Sequence, residues 1–565
     1  VTQETEGGTE GQEPPETPET PETPEDSTPP ASPEDAGGPE EGGETGDSSS
    51  GGEESVPPEE DNSAGVARIG NHIYDTLDDA VDAAEEDDAD TTIELLGDAT
   101  TAGLNLYENL TIVAAQELST EPTITFTNHG IALGYGASNQ GKNAPKLTFK
   151  NVKVVMNNVT YNNAEWSWNS ICSSQGGSLT LDNVEMTMDA SGATNDPHAI
   201  YFSGNNYFNI INGSVLKISN YSHNALEWNG GDEGYFFNIE NSTFISDHNR
   251  CGFTGTFYAT ITNSKVDVIN STGNGSNGSH FIITDSTVNF NDNGSHGLSA
   301  GELKIMNSTV TANNNRGMGI TVNNAFTVEN STVTVMGNAV NSSYGYAAVR
   351  LYNNYDFSVD KDSKLYIKDN NNTGLYVRQG NLTVADGAVL EITGNKVSHT
   401  LLDGYGGGIY VGYGDNYDPT VTIPGDAKIY NNHSLYGGDD IYVSEGVTGP
   451  KLTFGPVGTD WYLDGASDCY HGIDGWYDDS SGTRWEAHAA SEEGNYIEKF
   501  NGNTAETGDF TITDQHALKA AHGKLAAITV TPADITIYMG GDDGYEAVVG
   551  EDGESAGLYE HFAVV

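Results

Sequence analysis

The stretch Phe237-Asn238-Ile239-Glu240-Asn241-Ser242-Thr243-Phe244 decides the fold, because the chain repeats it. It returns as Ala259-Thr260-Ile261-Thr262-Asn263-Ser264-Lys265-Val266-Asp267-Val268 and as Phe281-Ile282-Ile283-Thr284-Asp285-Ser286-Thr287-Val288-Asn289-Phe290. Two more copies are Leu303-Lys304-Ile305-Met306-Asn307-Ser308-Thr309-Val310 and Phe326-Thr327-Val328-Glu329-Asn330-Ser331-Thr332-Val333-Thr334-Val335. Their turn residues, Asn241, Asn263, Asp285, Asn307 and Asn330, are 22 or 23 residues apart. Looser copies occupy Leu147 to Met156, Leu179 to Met188 and Phe208 to Val215, and variants begin at Phe357, Leu382 and Val421.

A second block, small-apolar-x-apolar, alternates with the first. It reads Ala199-Ile200-Tyr201-Phe202 and Ala225-Leu226-Glu227-Trp228, then Gly297-Leu298-Ser299-Ala300 and Gly317-Met318-Gly319-Ile320. It continues as Ala348-Val349-Arg350-Leu351, Gly374-Leu375-Tyr376-Val377, Gly408-Ile409-Tyr410-Val411 and Asp440-Ile441-Tyr442-Val443. Both blocks show period-2 alternation over three to five residues between polar turns, which is the pattern of short strands. A chain that returns at this interval must wind, laying each strand on its counterpart one coil earlier. The expected fold is all-β, a right-handed parallel β-helix solenoid, since parallel crossovers are overwhelmingly right-handed. A propeller blade needs about 40–50 residues, so the spacing excludes it. Asn at one turn in successive coils is expected to stack its amides into a ladder.

Outward from the coils the composition changes. Residues 1–65 carry no Lys or Arg and include Pro15-Glu16-Thr17-Pro18-Glu19-Thr20-Pro21. So acidic and Pro-rich a segment cannot bury enough surface to offset its ordering entropy, and a disordered, extended tether is expected. Between 66 and 96, a short strand precedes a helix whose apolar face is Leu77, Ala80, Val81 and Ala84. A solenoid needs such a cap where its first coil would expose core. The β-helix is expected over 97–465, a capping subdomain over 466–525, and the start of a further β domain, cut short, over 526–565.

The full chain has 565 residues and a formal charge of -61, with 22 Lys plus Arg against 83 Asp plus Glu. That excludes nucleic acid as a partner and argues against docking on anionic lipid. No apolar stretch of membrane length is present, so no direct membrane insertion is expected. Cys172, Cys251 and Cys469 are too few and too scattered for a disulfide framework or a zinc site. No cofactor is expected. Calcium is compatible with the acidity but has no specific motif behind it.

Tyr74 to Ala84 followed by Thr92-Ile93-Glu94-Leu95-Leu96-Gly97-Asp98, the glycine-rich coils at Gly406-Gly407-Gly408 and Gly437-Gly438, and the Asn-Ser-Thr turns together resemble pectin-lyase-like β-helix surface proteins. These are the large adhesin-type proteins of Gram-positive, especially gut, bacteria. The resemblance covers about 66–450 and implies secretion, display at the cell surface, and attachment to the cell wall through a C-terminal region absent from this chain.

The wider superfamily contains polysaccharide lyases and hydrolases. The hydrolase type needs paired carboxylates in most families. The acid pairs here, Asp232-Glu233, Asp415 with Asp418, and Asp439-Asp440, are expected to be solvated loop residues. No catalytic residue is assigned, and the pattern points to a binding protein rather than an enzyme.

Ligand-binding candidates come from outward positions. The residue between the apolars of the second block becomes Arg350, Tyr376, Tyr410 and Tyr442 in the later coils, expected to form an exposed column of sugar-stacking rings. The competing expectation is a self-stacking tyrosine ladder. His198, His296 and Arg316, with Arg250 nearby, precede the same strands and could meet an acidic glycan or simply bond turn carbonyls. Trp166 and Trp168 offer a further platform, or pack beneath a loop. The expected function is a cell-surface adhesin contacting host glycans or surface and matrix glycoproteins. The alternatives are a polysaccharide lyase or glycoside hydrolase, and a structural stalk.

Overall fold

The computed structural model describes residues 65–86, 89–134, 144–159, 169–173, 176–194, 197–204, 206–229, 236–339, 347–397, 404–412, 418–424, 427–435, 438–444, 450–454, 462–464 and 472–473. The expected tether over 1–65 except Gly65, Trp166, Trp168, Asp232, Glu233, Asp415, the expected capping subdomain over 466–525 except 472–473, with Cys469, and the domain over 526–565 lie outside the described residues.

The two sequence blocks fold into three parallel walls. The first block supplies two of them, one strand on each side of its Asn turn, and the second block supplies the third. On the first wall Ile239, Ile261, Ile283, Ile305 and Val328 lie in register, one per coil. On the second, Phe244, Val266, Val288, Val310 and Val333 do the same. The third wall stacks Ile131, Ile171, Ile200, Leu226 and Phe253. At Leu298–Met306 one long strand passes from the third wall into the first without a break. The chain is therefore a parallel β-helix.

Inward residues of all three walls form one continuous core from Ala67 to Leu452. Its centre is aromatic. Phe237 touches the rings of Phe208, Phe244, Phe253 and Phe257 with centroids 5.3–6.4 Å apart.

The N-terminal end is closed as expected. Helix α1 (Leu77–Glu85) is capped by Thr76, whose hydroxyl accepts the Asp79 N–H at 3.1 Å. It buries Leu77, Ala80, Val81 and Ala84. Ala67–Ile69 pairs antiparallel with His72–Tyr74 and with Thr91–Leu95, and the latter strand starts the parallel stack. At the far end Tyr462–Asp464 and Gly472–Ile473 add antiparallel to the last strands.

The turn ladder forms. Asn151, Asn183, Asn241, Asn263, Asp285, Asn307 and Asn330 all have φ between 44° and 55°. Asn and Asp tolerate this left-handed region better than other side chains. Nδ2 of Asn183 donates to Asn151 Oδ1 (3.0 Å), that of Asn263 to Asn241 (2.6 Å), and that of Asn330 to Asn307 (2.9 Å).

A second ladder lies inside the core edge, three residues past the inward residue that ends each second-wall strand. Asn293, Asn315, Asn338, Asn370, Asn395 and Asn432 are at most 1% exposed. Each donates its Nδ2 to the next at 2.8–2.9 Å. The last, Asn432, donates to Asp440 Oδ1 at 2.9 Å. Asp440 was expected among solvated loop acids, yet it is 2% exposed. Its carboxylate is held inside because it terminates this row of amides.

Candidate functional site

The tyrosine column forms in register, Arg350 beside Tyr376, then Tyr410, then Tyr442. It is not the exposed platform expected from the alternation. Tyr376 and Tyr410 are each 2% exposed and cluster with Ala347, Tyr405 and Tyr442. Glycine is the reason. Gly406 and Gly438 have φ of 66° and 60°, and a Cβ on either would stand about 3 Å from the tyrosine four residues later in the same coil, Tyr410 and Tyr442 respectively. The glycine-rich turns therefore press backbone onto the column, and Tyr405 stacks on Tyr442 at 4.5 Å. Within the column Tyr376 meets Tyr410 edge to face and Tyr410 meets Tyr442 tilted, with centroids 5.6 and 5.4 Å apart.

His296 serves a turn. Its Nδ1 accepts the Met318 N–H at 3.0 Å, and burial together with the charge of Arg350 pushes its pKa down. Arg316 beside this turn is exposed.

His198 belongs to a cluster. Its Nδ1 lies 2.8 Å from Glu227 Oε2, and its ring stacks on His223 at 4.4 Å. Asn224 Nδ2 donates to the same Glu227 oxygen at 2.7 Å. Glu227 is registered with Tyr201, whose hydroxyl accepts from Asn229 Nδ2 at 2.9 Å. His198 above all, and then Asn224, hold the Glu227 carboxyl below its usual range against the opposing effect of burial. Burial pushes the Tyr201 phenol up. Arg250 Nη1 stands 3.4 Å from His223 Nδ1. A carboxylate, an imidazole and a phenol thus meet on the outer side of two adjacent coils.

The sequence reading missed an exposed aromatic strip on the first wall. Tyr207, Phe236, Tyr258 and His280 occupy one register position in four successive coils. Consecutive centroids are 5.4, 5.9 and 4.8 Å apart, with planes within 29° of parallel. Tyr207, Phe236 and Tyr258 remain 50%, 42% and 37% exposed. Two residues along each strand, about 7 Å away, Asn209, Asn238 and Thr260 form a parallel column of amides and a hydroxyl. A contiguous exposed apolar patch rimmed by polar groups marks a contact surface.

Among the described residues no group of His, Cys, Asp and Glu is arranged to hold a metal ion. No described helix is long and apolar enough to cross a membrane. Cys172 and Cys251 are free thiols, and burial pushes that of Cys172 up to about 12. A shallow groove of about 470 Å³ runs along the turn ladder beside Asn241, Asn263, Lys265 and Asp285.

No family model matches this sequence, and no curated protein does. Among solved structures, the crystal structure of the periplasmic alginate epimerase AlgG is similar at 11% identity and a TM-score of 0.27, covering 65% of this chain and 82% of that one. Function does not transfer at that level.

Proposed function

We propose that the chain is a cell-surface glycan-binding protein whose contact surface is the aromatic strip of the first wall. The observation that carries this is four rings in register, one per coil, three of them more than a third exposed. Sugar rings present apolar C–H faces and hydroxyl edges. The strip offers ring edges and the outer face of Tyr207 to the first, while Asn209, Asn238 and Thr260 suit the second. Repetition along a rigid rod adds weak contacts into useful avidity.

The test is a glycan and glycoprotein array probed with the wild type and with the triple variant Tyr207→Ala/Phe236→Ala/Tyr258→Ala. Base stacking on aromatics sets a scale of about 1–3 kcal/mol per ring, so binding should fall by more than about a hundredfold. Unchanged binding by the variant would remove the strip from the account. Tyr376→Ala, a buried-column control, should act on stability instead.

A second reading, polysaccharide cleavage, is favoured by the His198–Glu227–Tyr201 cluster. An imidazole oriented by a carboxylate beside a phenol has the parts for proton removal and delivery. Unsaturated or reducing products from polyuronates, lost in His198→Gln, would establish it. The absence of turnover on carboxylated, sulfated and neutral polymers would leave the cluster a structural one.

A further inference from the structure

The outward positions of the first wall follow a rule that is broken beside the exposed rings. The middle outward residue of each strand is threonine in most coils, as at Thr148, Thr180, Thr260 and Thr327. Threonine suits that place because it is β-branched, whereas asparagine is depleted in strands. Yet Asn209 and Asn238 fill it in the two coils that carry Tyr207 and Phe236. Sheet stability does not ask for asparagine there.

Several other outward asparagines are tied into the stack. Asn212 gives its Nδ2 to Asp182 of the preceding coil at 2.7 Å, Asn270 to Asp247 at 2.9 Å and Asn289 to Asp267 at 2.7 Å. Asn209 Nδ2 donates to Thr180 Oγ1 at 3.3 Å. Asn238 differs, since among the described residues none bonds its side-chain amide, and it is partly exposed. It stands on the same face as Phe236, about 7 Å along the strand. An amide with donor and acceptor both open is matched by a planar group that gives and takes a hydrogen bond. Charge narrows the ligand further. Of the outward side chains on Tyr207–Ile211, Phe236–Glu240 and Tyr258–Thr262 only Glu240 is charged, and the chain carries -61 overall. A surface of that sign repels acidic polymers, and these strands offer no cation to hold one.

We propose that Asn238 and the aromatic strip together form a site for an uncharged glycan bearing acetamido groups, an N-acetylhexosamine polymer. The acetamido methyl rests against the ring edges of Phe236 and Tyr258. Its carbonyl accepts from Asn238 Nδ2 and its N–H donates to Asn238 Oδ1. A plain hexose offers hydroxyls to the amide but no methyl to the rings. This rests on the strip as the contact surface and adds which sugar it takes.

The experiment measures binding of the full chain to short β-linked oligomers of N-acetylglucosamine, of glucose and of deacetylated glucosamine, by calorimetry at low and raised salt. The variants are Asn238→Thr, which restores the residue of the neighbouring coils, and the aromatic-strip triple variant. The wild type should bind the acetylated oligomer at least about tenfold more tightly than the glucose one, the worth of two hydrogen bonds. Raised salt should leave that ratio in place, since no charge is paired. Asn238→Thr should cut the ratio to within about threefold by weakening the acetylated oligomer alone, with a thermal midpoint unchanged or higher. The triple variant should lose both oligomers. Equal wild-type affinity for the acetylated and glucose oligomers, or a ratio that survives in Asn238→Thr, would overturn the acetamido assignment while sparing the strip. Preference for the deacetylated oligomer that fades in salt would overturn it too, and mark attraction to the acidic chain in general. No binding of the acetylated oligomer would also overturn it, and the array with the triple variant then decides for the strip alone.

Discussion

Asn338→Ala is expected to lower the unfolding free energy by about 2–5 kcal/mol, read from denaturant titration. Asn338 is 0% exposed and serves both neighbours. Its Oδ1 accepts the Asn315 N–H and Nδ2, both at 2.9 Å, and its Nδ2 donates to Ala312 O at 2.8 Å and Asn370 Oδ1 at 2.9 Å. Truncation strands the Asn315 backbone N–H and the Ala312 carbonyl where water does not reach. Each such group costs about 1–3 kcal/mol, and the missing volume adds to this. Lys304→Ala on the exposed first wall should change stability by no more than about 0.5 kcal/mol. A similar small effect for Asn338→Ala would show that the amide row is ornamental to stability.

Phe237→Ala should cost about 3–5 kcal/mol, the range for emptying a well-packed phenylalanine site. Phe237 is fully buried, and five aromatic rings within 6.4 Å surround it, Trp228 included. Those neighbours sit on three different walls and cannot all move into the space. The residue before it makes the informative contrast. Phe236 is 42% exposed, so Phe236→Ala should leave the thermal midpoint nearly in place while weakening glycan binding. Adjacent phenylalanines would thus separate folding from recognition, and equal losses of stability in both would contradict the assignment of Phe236 to the surface.

That pair also explains what could and could not be seen in the sequence. The inward stripe was legible because Phe237, Ala259, Phe281 and Leu303 recur before the same turn, and steric tolerance of left-handed backbone singles out Asn241 and its counterparts. The neighbouring Tyr207, Phe236 and Tyr258 were hidden by being apolar themselves, which blurs a period of two. Their signal was positional, an aromatic one residue ahead of the first inward residue in consecutive copies. The buried amide row had a signal too, in apolar-x-apolar-x-x-Asn, as Val288-x-Phe290-x-x-Asn293 and Leu390-x-Ile392-x-x-Asn395. Later coils carry longer loops, so their asparagines fall at uneven intervals and escape a search for a fixed spacing. The tyrosine column was read correctly for register and wrongly for exposure, because alternation says which side a residue takes and nothing of what the glycine turns lay over it.

Along the row from Asn293 to Asn432 the side-chain bonds between amides all run one way, toward the C-terminal coils, while the other Nδ2 hydrogen of each goes back to a carbonyl of the preceding coil. Small dipoles aligned head to tail add, as they do along a helix. The side-chain dipoles of the row thus point the same way, and its hydrogen-giving end meets Asp440 Oδ1, which accepts it. A further asparagine there would need yet another coil to receive its hydrogens. Asp440 thus gives the amide row its stop, just ahead of the strands Ile441–Val443 and Lys451–Phe454, and one residue's chemistry ends the row inside a stack that goes on.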